Sequence, residues 1–364
     1  MYSSRIILIS LLFFGFVNNF RFQFLRIPSI LIWVFLPTIY IFFSKKHQYI
    51  NKSLVRNYLI PYFILTIILF FPIIYNINDF ELELNGASVE KITAFLTPFA
   101  STTFILLASI SDSESNHHNK SISIGVNLIL LFFIFEAFYR YFVAPDLFLN
   151  YFDRHSAKTI GLLSTTNVNG QVLTLLFVSV LIVPFKRKIL ILIIISILLI
   201  TSMARSAIVA LLIGLLLFLI SRSNFILKSI FVGLGVIIFS YLFIDLGLSK
   251  DGSLLSKIEF ISATKHIIKQ SELSQLVFGY GMSYESITNT LGVQGWSPHL
   301  PILKAFLYYG IFGLFYHIGT MYILYRFNKK ILIPIISFFI LSLAGAPLFF
   351  PGLLSTLIIL NKNE

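Results

Sequence analysis

Long apolar runs constrain this chain more than any other feature of its sequence. A helix that crosses a bilayer needs about 20 mostly apolar residues. Runs that approach or reach this length lie near residues 4–20, 27–43, 58–75, 92–110, 122–143, 170–185, 188–201, 204–221, 226–245, 300–325, 331–344 and 346–360. They predict an all-α fold, a polytopic transmembrane helical bundle of about 12 spans.

The composition agrees with a membrane protein. Only 12% of the residues are charged and 57% are hydrophobic, whereas a soluble protein carries about 25% charged residues. Arg5 precedes an apolar stretch, as in a signal peptide, but no small-x-small cleavage site follows Val17. We therefore expect an uncleaved first helix and a single integral membrane domain over residues 1–364.

One long apolar stretch, from Ile189 to Ile220, is interrupted only by Thr201, Ser202 and Arg205. A single helix over this stretch would be too long for the bilayer. The interruption therefore predicts a tight hairpin between the seventh and eighth spans.

Positive charge orients the spans. Cations are concentrated in loops 44–57, 186–188 and 326–330, which fall on one side of the membrane if there are twelve spans. The positive-inside rule makes that side cytoplasmic, together with both termini. The other polar loops then face outward: 76–91, 144–169, 201–205 and 247–298. The net charge of +12 is scattered over short loops, which fits membrane topology better than a nucleic-acid-binding face.

Several kinds of site are excluded by missing residues. The chain has no cysteine, which rules out disulfides, thiolate nucleophiles and cysteine-bound metals. No HxxxH pattern or cluster of carboxylates within one loop suggests a metal site. Gly279 and Gly281 lack the third glycine and the preceding strand of a nucleotide-binding motif. The sequence therefore predicts no metal and no cofactor.

The large outer loop, residues 247–298, lies between the ninth and tenth spans. Its basic residues Lys257, Lys265, His266 and Lys269 alternate with apolar residues at roughly helical spacing. This pattern is typical of a helix that lies on the membrane interface.

Two positions suggest chemistry next to the outer surface. His299 stands where the large loop meets the tenth span, with ten residues between it and Gly310, and an imidazole can exchange a proton near neutral pH. Arg205 begins the eighth span, and ionisable groups at membrane depth usually face a cavity. The alternatives are a histidine bound to headgroups and an arginine that snorkels to the interface.

Three further features are open to two interpretations. Glu136 and Arg140 lie four apart on the fifth span, which favours an ion pair of structural rather than catalytic role. Lys304 adds positive charge below His299 or snorkels. Loop 144–169, with Arg154 and Asn167, is either part of a site or an ordinary polar loop with a helix cap.

Four segments, in this order, resemble the O-antigen polymerase and O-antigen ligase superfamily of bacterial membrane glycosyltransferases. GLLSTTNVNGQVL (161–173) is similar to the family's Gly-x-Phe-x-x-Pro-Asn-x-x-Gly motif: Asn167 and Gly170 match, and Thr166 replaces the proline. TSMARSAIVALLIG (201–214) resembles its Ser-x-Arg segment, with the arginine at Arg205. LVFGYGMS (276–283) resembles its Gly-x-Gly, at Gly279 and Gly281. SPHLPILKAFLYYGIFG (297–313) resembles its His-x10-Gly segment, at His299 and Gly310.

The resemblance implies a metal-independent glycosyltransferase of the bacterial inner membrane, active at its periplasmic face in lipopolysaccharide or other surface polysaccharide biosynthesis. Its donor would be an oligosaccharide on undecaprenyl diphosphate, and a chain-length regulator would be a partner beside the membrane lipid. His299 would act as the catalytic base, and Arg205 and Arg154, with Lys257 and Lys304, would bind the diphosphate. Asn167, Gly170, Gly279, Gly281 and Gly310 would be motif residues of structural role.

We predict a polymerase rather than a ligase, which is the alternative and transfers glycan to lipid A core. Ligases of the family carry a second arginine near the start of the large loop, where this chain has Lys257. Lysine keeps the charge but lacks the planar fork that suits phosphate. A flippase or transporter without catalysis is a further alternative, although no repeat relates the two halves of the chain.

Overall fold

The structure is a computed structural model. The described residues are 2–17, 31–32, 35–36, 39, 55–76, 115–145, 161–163, 166–202, 204–223, 227, 230, 233, 262, 264–281, 301–342 and 351–360. In these stretches the α-helices of six or more residues with assigned bounds are α1 (Tyr2–Phe16), α2 (Ile60–Tyr75), α3 (Ser115–Val143), α4 (Thr166–Ile182), α5 (Lys188–Thr201), α6 (Arg205–Arg222), α7 (Leu273–Phe278), α8 (Pro301–Phe327), α9 (Leu332–Ser342) and α10 (Pro351–Leu360). A π-helical turn, Val55–Leu59, precedes α2, and a 3-10 turn, Lys329–Ile331, joins α8 to α9.

The described part of the chain is helical and contains no extended strand. Three helical segments are long and apolar enough to cross a membrane: Arg56–Tyr75, Asn119–Val143 and Ile302–Phe327. Shorter apolar helices correspond to α1, α4, α5 and α6. The structure therefore supports a helical membrane protein, and the count of twelve spans stays a prediction.

The interruption predicted between the seventh and eighth apolar runs is present, and the two helices that it separates pack mainly against α4 rather than against each other. Helix α5 ends at Thr201 and α6 begins at Arg205. The Ser202 hydroxyl donates a hydrogen bond to the carbonyl of Leu199, at 2.7 Å, in the last turn of α5. Carbonyls in the last turn of a helix need partners of this kind.

Two helices begin earlier than the apolar runs predicted. Helix α3 starts at Ser115 rather than near 122, and α4 starts at Thr166, inside the loop predicted at 144–169. Hydropathy marks only the apolar centre of a helix, whereas polar residues often form its first turn. The predicted outer loop is therefore at least four residues shorter than expected.

Small residues allow the helices to pack closely. A Cβ on Gly125 of α3 would lie 2.9 Å from Leu12 Cδ1 of α1. A Cβ on Gly214 of α6 would lie 2.9 Å from the Ser337 hydroxyl of α9. Such contacts are typical of helix association in membranes, where close van der Waals packing replaces the hydrophobic drive.

Helices α4 and α8 each pack against several other helices. Helix α4 packs against α5, α6, α9 and α10, and its apolar side chains are almost completely buried. Helix α8 packs along α2, where the hydroxyls of Tyr62 and Tyr316 share a hydrogen bond of 2.6 Å. Helix α9 contacts both α4 and α8 and so links the two groups.

The N-terminal end of α2 contacts the C-terminal end of α8, and both ends carry arginines in the sequence. The Tyr58 hydroxyl, in the turn before α2, donates to the carbonyl of Arg326 at the end of α8, at 3.1 Å. Below, the opposite end of each helix is called the outer end, following the predicted orientation. The fourth apolar run, 92–110, and most of the second and ninth runs lie outside the described residues.

Candidate functional site

A buried ion pair lies near the outer end of α3. The Glu136 carboxylate is fully buried and the Arg140 side chain is 7% exposed. Arg140 Nε and Nη2 each lie 2.9 Å from Glu136 Oε2. Because the two residues are four apart on one helix face, Nε and Nη2 of the guanidinium can both reach Oε2 of the carboxylate.

The second carboxylate oxygen is also occupied. Asn169, in the first turn of α4, donates from Nδ2 to Glu136 Oε1 at 2.9 Å. The backbone N–H of Leu162 donates to the same carboxylate. A Cβ on Gly161 would lie only 2.8 Å from Glu136 Oε1, so the backbone of 161–163 can approach the carboxylate because residue 161 is glycine.

Arg140 connects this ion pair to the end of α5. Its Nη1 donates to the carbonyl of Thr201, the last residue of α5, at 3.1 Å. That carbonyl lacks a partner within its own helix because it belongs to the last turn. The guanidinium therefore fixes the start of the turn that leads into α6.

The first turns of α4 and α6 touch directly. A Cβ on Gly170 would lie 2.6 Å from the Cβ atoms of both Ala204 and Ala207. The Thr174 hydroxyl, one turn further along α4, donates to the carbonyl of Ala207 at 3.2 Å. Glycine and alanine thus bring the backbone of the 167–170 motif next to the residue at which α6 begins.

A second contact of motif residues lies at the outer end of α8. Gly310 has φ +60° and ψ −147°, a conformation that breaks the regular geometry of this helix. A Cβ on Gly310 would overlap the carbonyl of Val277 and lie 2.7 Å from Gly279 N. A Cβ on Gly279, whose φ is +79°, would lie 2.5 Å from Tyr308 C and Tyr309 N. Each glycine is therefore the residue that lets the other backbone approach.

Hydrogen bonds and rings hold this second contact. The N–H of Tyr280 donates to the Leu307 carbonyl at 2.7 Å, a carbonyl that the break at Gly310 makes accessible. Asn76, at the C-terminal end of α2, donates to the Phe278 carbonyl at 3.1 Å. Tyr75 stacks on Phe278 with ring centres 4.5 Å apart. Helices α2, α7 and α8 are thus joined at one end.

Lys304 lies inside the bundle on the outer part of α8. It is 4% exposed, and its Nζ lies 5.4 Å from the centre of the Tyr308 ring. A cation over an aromatic face is stabilised by the ring quadrupole. The role of Lys304 as a diphosphate ligand or as a snorkelling side chain stays a prediction.

The predicted site residues fall into three groups. Gly170, Gly279, Gly281, Gly310 and Lys304 are described, and Gly279 lies directly against Gly310. Arg205 begins α6 and Asn167 is the second residue of α4, but their side chains lie outside the described residues. His299, Arg154 and Lys257 lie outside them altogether. His299 precedes the first residue of α8, Pro301, by two positions.

The large outer loop contributes a short helical segment. Residues 264–270 are helical, with Lys265, His266 and Lys269 exposed and Ile267 buried. A helix is therefore present where the sequence predicted one, and its location at a membrane interface stays a prediction.

Sequence reasoning identified the Glu136–Arg140 pair but missed Asn169. The only sequence signal was a second amide in the polar start of α4, which a helix cap would equally explain. In the described stretches no three His, Asp or Glu side chains lie close enough to hold a metal ion.

Comparisons of the chain with protein-family models, with curated proteins and with solved structures gave no match.

Proposed function

We propose that the chain is an O-antigen or related surface-polysaccharide polymerase of the bacterial inner membrane. It would join oligosaccharide repeat units carried on undecaprenyl diphosphate, at the periplasmic face. The proposal rests on the order of four sequence motifs and on how the described parts of those motifs pack.

The packing of Gly170 against Ala204 and Ala207 is the observation that supports the proposal most. The two segments are 34 residues apart in sequence, counted from Gly170 to Ala204. Their meeting places the backbone of the Asn167 motif beside the start of α6, where Arg205 stands. A site that uses both segments needs this proximity.

The reaction requires a base that accepts the proton of the acceptor hydroxyl and positive charge that stabilises the leaving diphosphate. As the acceptor sugar hydroxyl loses its proton to His299, its oxygen forms a bond to the anomeric carbon of the donor sugar. The bond from that carbon to the diphosphate oxygen breaks, and undecaprenyl diphosphate leaves with the electron pair. A neutral imidazole can accept the proton, and arginines can stabilise the growing charge on the diphosphate.

The diphosphate ligands in this proposal are Arg205 and Arg154, supported by Lys257 and Lys304. A planar guanidinium can bind two phosphate oxygens at once, which suits a leaving diphosphate. Lys304 has the burial that such a role requires, because a charge excluded from water interacts more strongly with a ligand.

The proposed donor also needs a surface for its polyprenyl tail. The described helices have large apolar side chains on their outside, such as Phe135 at 62% and Phe142 at 79% exposure on α3. These side chains suit contact with lipid, so a lipid-linked donor can reach the outer end from within the bilayer.

Deletion of the gene, followed by gel analysis of lipopolysaccharide, tests the proposal. Loss of a polymerase leaves core with a single repeat unit. Bare core with lipid-linked polymer would instead identify a ligase. Repeat units trapped on the cytoplasmic side would identify a flippase.

The purified protein gives a second test. In detergent with lipid-linked repeat units and no other protein, a polymerase lengthens the glycan. A transporter cannot do so, because detergent removes the two compartments. Failure of the wild-type protein to lengthen a lipid-linked repeat unit from its own host would overturn the proposal.

A further inference from the structure

The buried ion pair at the outer end of α3 has no role in the reaction as proposed. Glu136, Arg140 and Asn169, called the positioning cluster below, are at most 6% exposed. Removing charges from water is costly, and apolar residues can replace a buried ion pair without loss of stability. Ionisable groups at membrane depth more often serve function than packing.

Glu136 is already saturated and is therefore no candidate for a base. One oxygen accepts from Arg140 Nε and Nη2, the other accepts from Asn169 Nδ2, and the Leu162 N–H also donates to the carboxylate. No substrate hydroxyl can approach without displacing a partner. The carboxylate and the Arg140 guanidinium together hold three separate pieces of the chain at fixed distances.

Those pieces are the segments that flank the proposed diphosphate site. Asn169 lies two residues after Asn167 in the first turn of α4. The Thr201 carbonyl, held by Arg140 Nη1, ends α5 four residues before Arg205. The backbone of 161–163 leads from the loop of Arg154 into α4. All three depend on one carboxylate and one guanidinium.

We propose that the positioning cluster fixes the start of α6 relative to the first turn of α4, and so places Arg205 for binding the donor diphosphate. This inference rests on the proposed function. The members of the cluster are positioning residues, because they act through Arg205 and do not touch the substrate.

A double-mutant cycle tests this connection. Arg140→Lys keeps a positive partner for Glu136 but lacks the fork that also reaches Thr201. The protein is placed in lipid nanodiscs, and its affinity for undecaprenyl diphosphate alone is measured. We expect Arg140→Lys to weaken binding about 5–20-fold in the wild-type background, a coupling within the range found for residues of one network. In the Arg205→Ala background we expect less than about a twofold effect, because the residue being positioned is gone.

The matched control is Tyr62→Phe. This change removes a buried hydrogen bond to Tyr316 between α2 and α8, away from the positioning cluster. Its thermal stability in nanodiscs should fall as that of Arg140→Lys does, whereas its effect on diphosphate affinity should be the same with and without Arg205. A loss of affinity that merely follows stability would appear in both variants.

A second variant covers the case in which Arg140→Lys does not accumulate. Asn169→Ala removes a single hydrogen bond to Glu136 Oε1 and leaves the ion pair intact. Asn169→Ala should weaken the binding of undecaprenyl diphosphate less than Arg140→Lys does, and this loss of affinity should also disappear in the Arg205→Ala background.

The outcomes separate the two proposals. If wild-type protein binds undecaprenyl diphosphate and the effects of Arg140→Lys or Asn169→Ala are additive with that of Arg205→Ala, the positioning role is overturned and the proposed function stands. If wild-type protein does not bind the lipid at all, the proposed function is overturned and this inference with it.

Discussion

His299 stands two residues before Pro301, the first residue of α8, in the sequence. Its role as base is a proposal from sequence, and it leads to the first prediction.

We expect His299→Ala to lower chain growth by about 10²–10⁴-fold, the usual effect of removing a positioned base. Activity of the wild-type enzyme should fall as the pH is lowered, because the protonated ring cannot accept a proton. The measurements are the pH–rate profile and the quantity of protein in the membrane, which should not change. An active His299→Lys enzyme that prefers acid pH would instead make His299 a diphosphate ligand.

Arg205 gives the second prediction. Arg205→Lys should retain part of the affinity for undecaprenyl diphosphate and lose most of the activity, because a point charge replaces a planar fork. The two quantities are measured on the same purified sample. Wild-type activity in Arg205→Ala at normal protein level would mean that Arg205 only snorkels to the interface.

Residue-scale contacts were predictable only where they are local. The pairing of Glu136 with Arg140 follows from their spacing on one helix. The contact of Asn169 with Glu136 joins residues 33 apart and depends on how α3 packs beside α4. No spacing rule covers such a contact, so the sequence offered only two amides in a polar segment.

At the scale of elements, the break in α8 is the feature with the most consequences. It frees the Leu307 carbonyl for Tyr280 and admits the backbone of Val277 and Gly279. The sequence pointed to these glycines through motifs, but it gave no reason to pair them, because α7 and α8 are separated by more than 20 residues.

The third prediction therefore concerns Gly310→Ala. The backbone conformation of Gly310 is nearly exclusive to glycine and costs about 1–3 kcal/mol for another residue. The added Cβ would also overlap the Val277 carbonyl. We expect a lower midpoint of thermal unfolding and loss of chain growth, both measured in detergent.

Gly233→Ala is the control for this change. A Cβ on Gly233 would meet no atom within 4 Å, and alanine favours a helix more than glycine does. The midpoint of thermal unfolding of the Gly233→Ala protein should equal that of the wild-type protein or be slightly higher. Equal losses at Gly233 and Gly310 would contradict the assigned role of the break.

Within the described residues the apolar runs located the helices, and the largest errors lie at the starts of two of them. The break at Thr201–Arg205 was correctly predicted because a longer helix would not fit the bilayer. The starts of α3 and α4 were predicted too late, because polar first turns carry no hydropathy signal.

At the scale of the whole molecule, the arrangement of the helix ends decides whether the site can exist. The Asn167, Arg205 and His299 segments must all open on the same face of the membrane, opposite the cationic loops. Within the described residues, two observations agree with this arrangement. The α4–α6 contact joins two helix starts, and the contact between the Tyr58 hydroxyl and the Arg326 carbonyl joins two cationic ends.

The last prediction is the topology itself. Lys52 belongs to a cation-rich loop and Gly252 to the large loop before α8, so the positive-inside rule places them on opposite faces. Because the chain has no cysteine, single-cysteine variants at these two positions can be labelled with a membrane-impermeant thiol reagent in whole cells without background. We expect labelling at Gly252 before the inner membrane is permeabilised, and at Lys52 only afterwards. Labelling of Lys52 alone before permeabilisation would place the large loop and the His299 segment on the cytoplasmic side. Labelling of both positions before permeabilisation would contradict the predicted topology. Either result would exclude a periplasmic glycosyltransferase built on these residues.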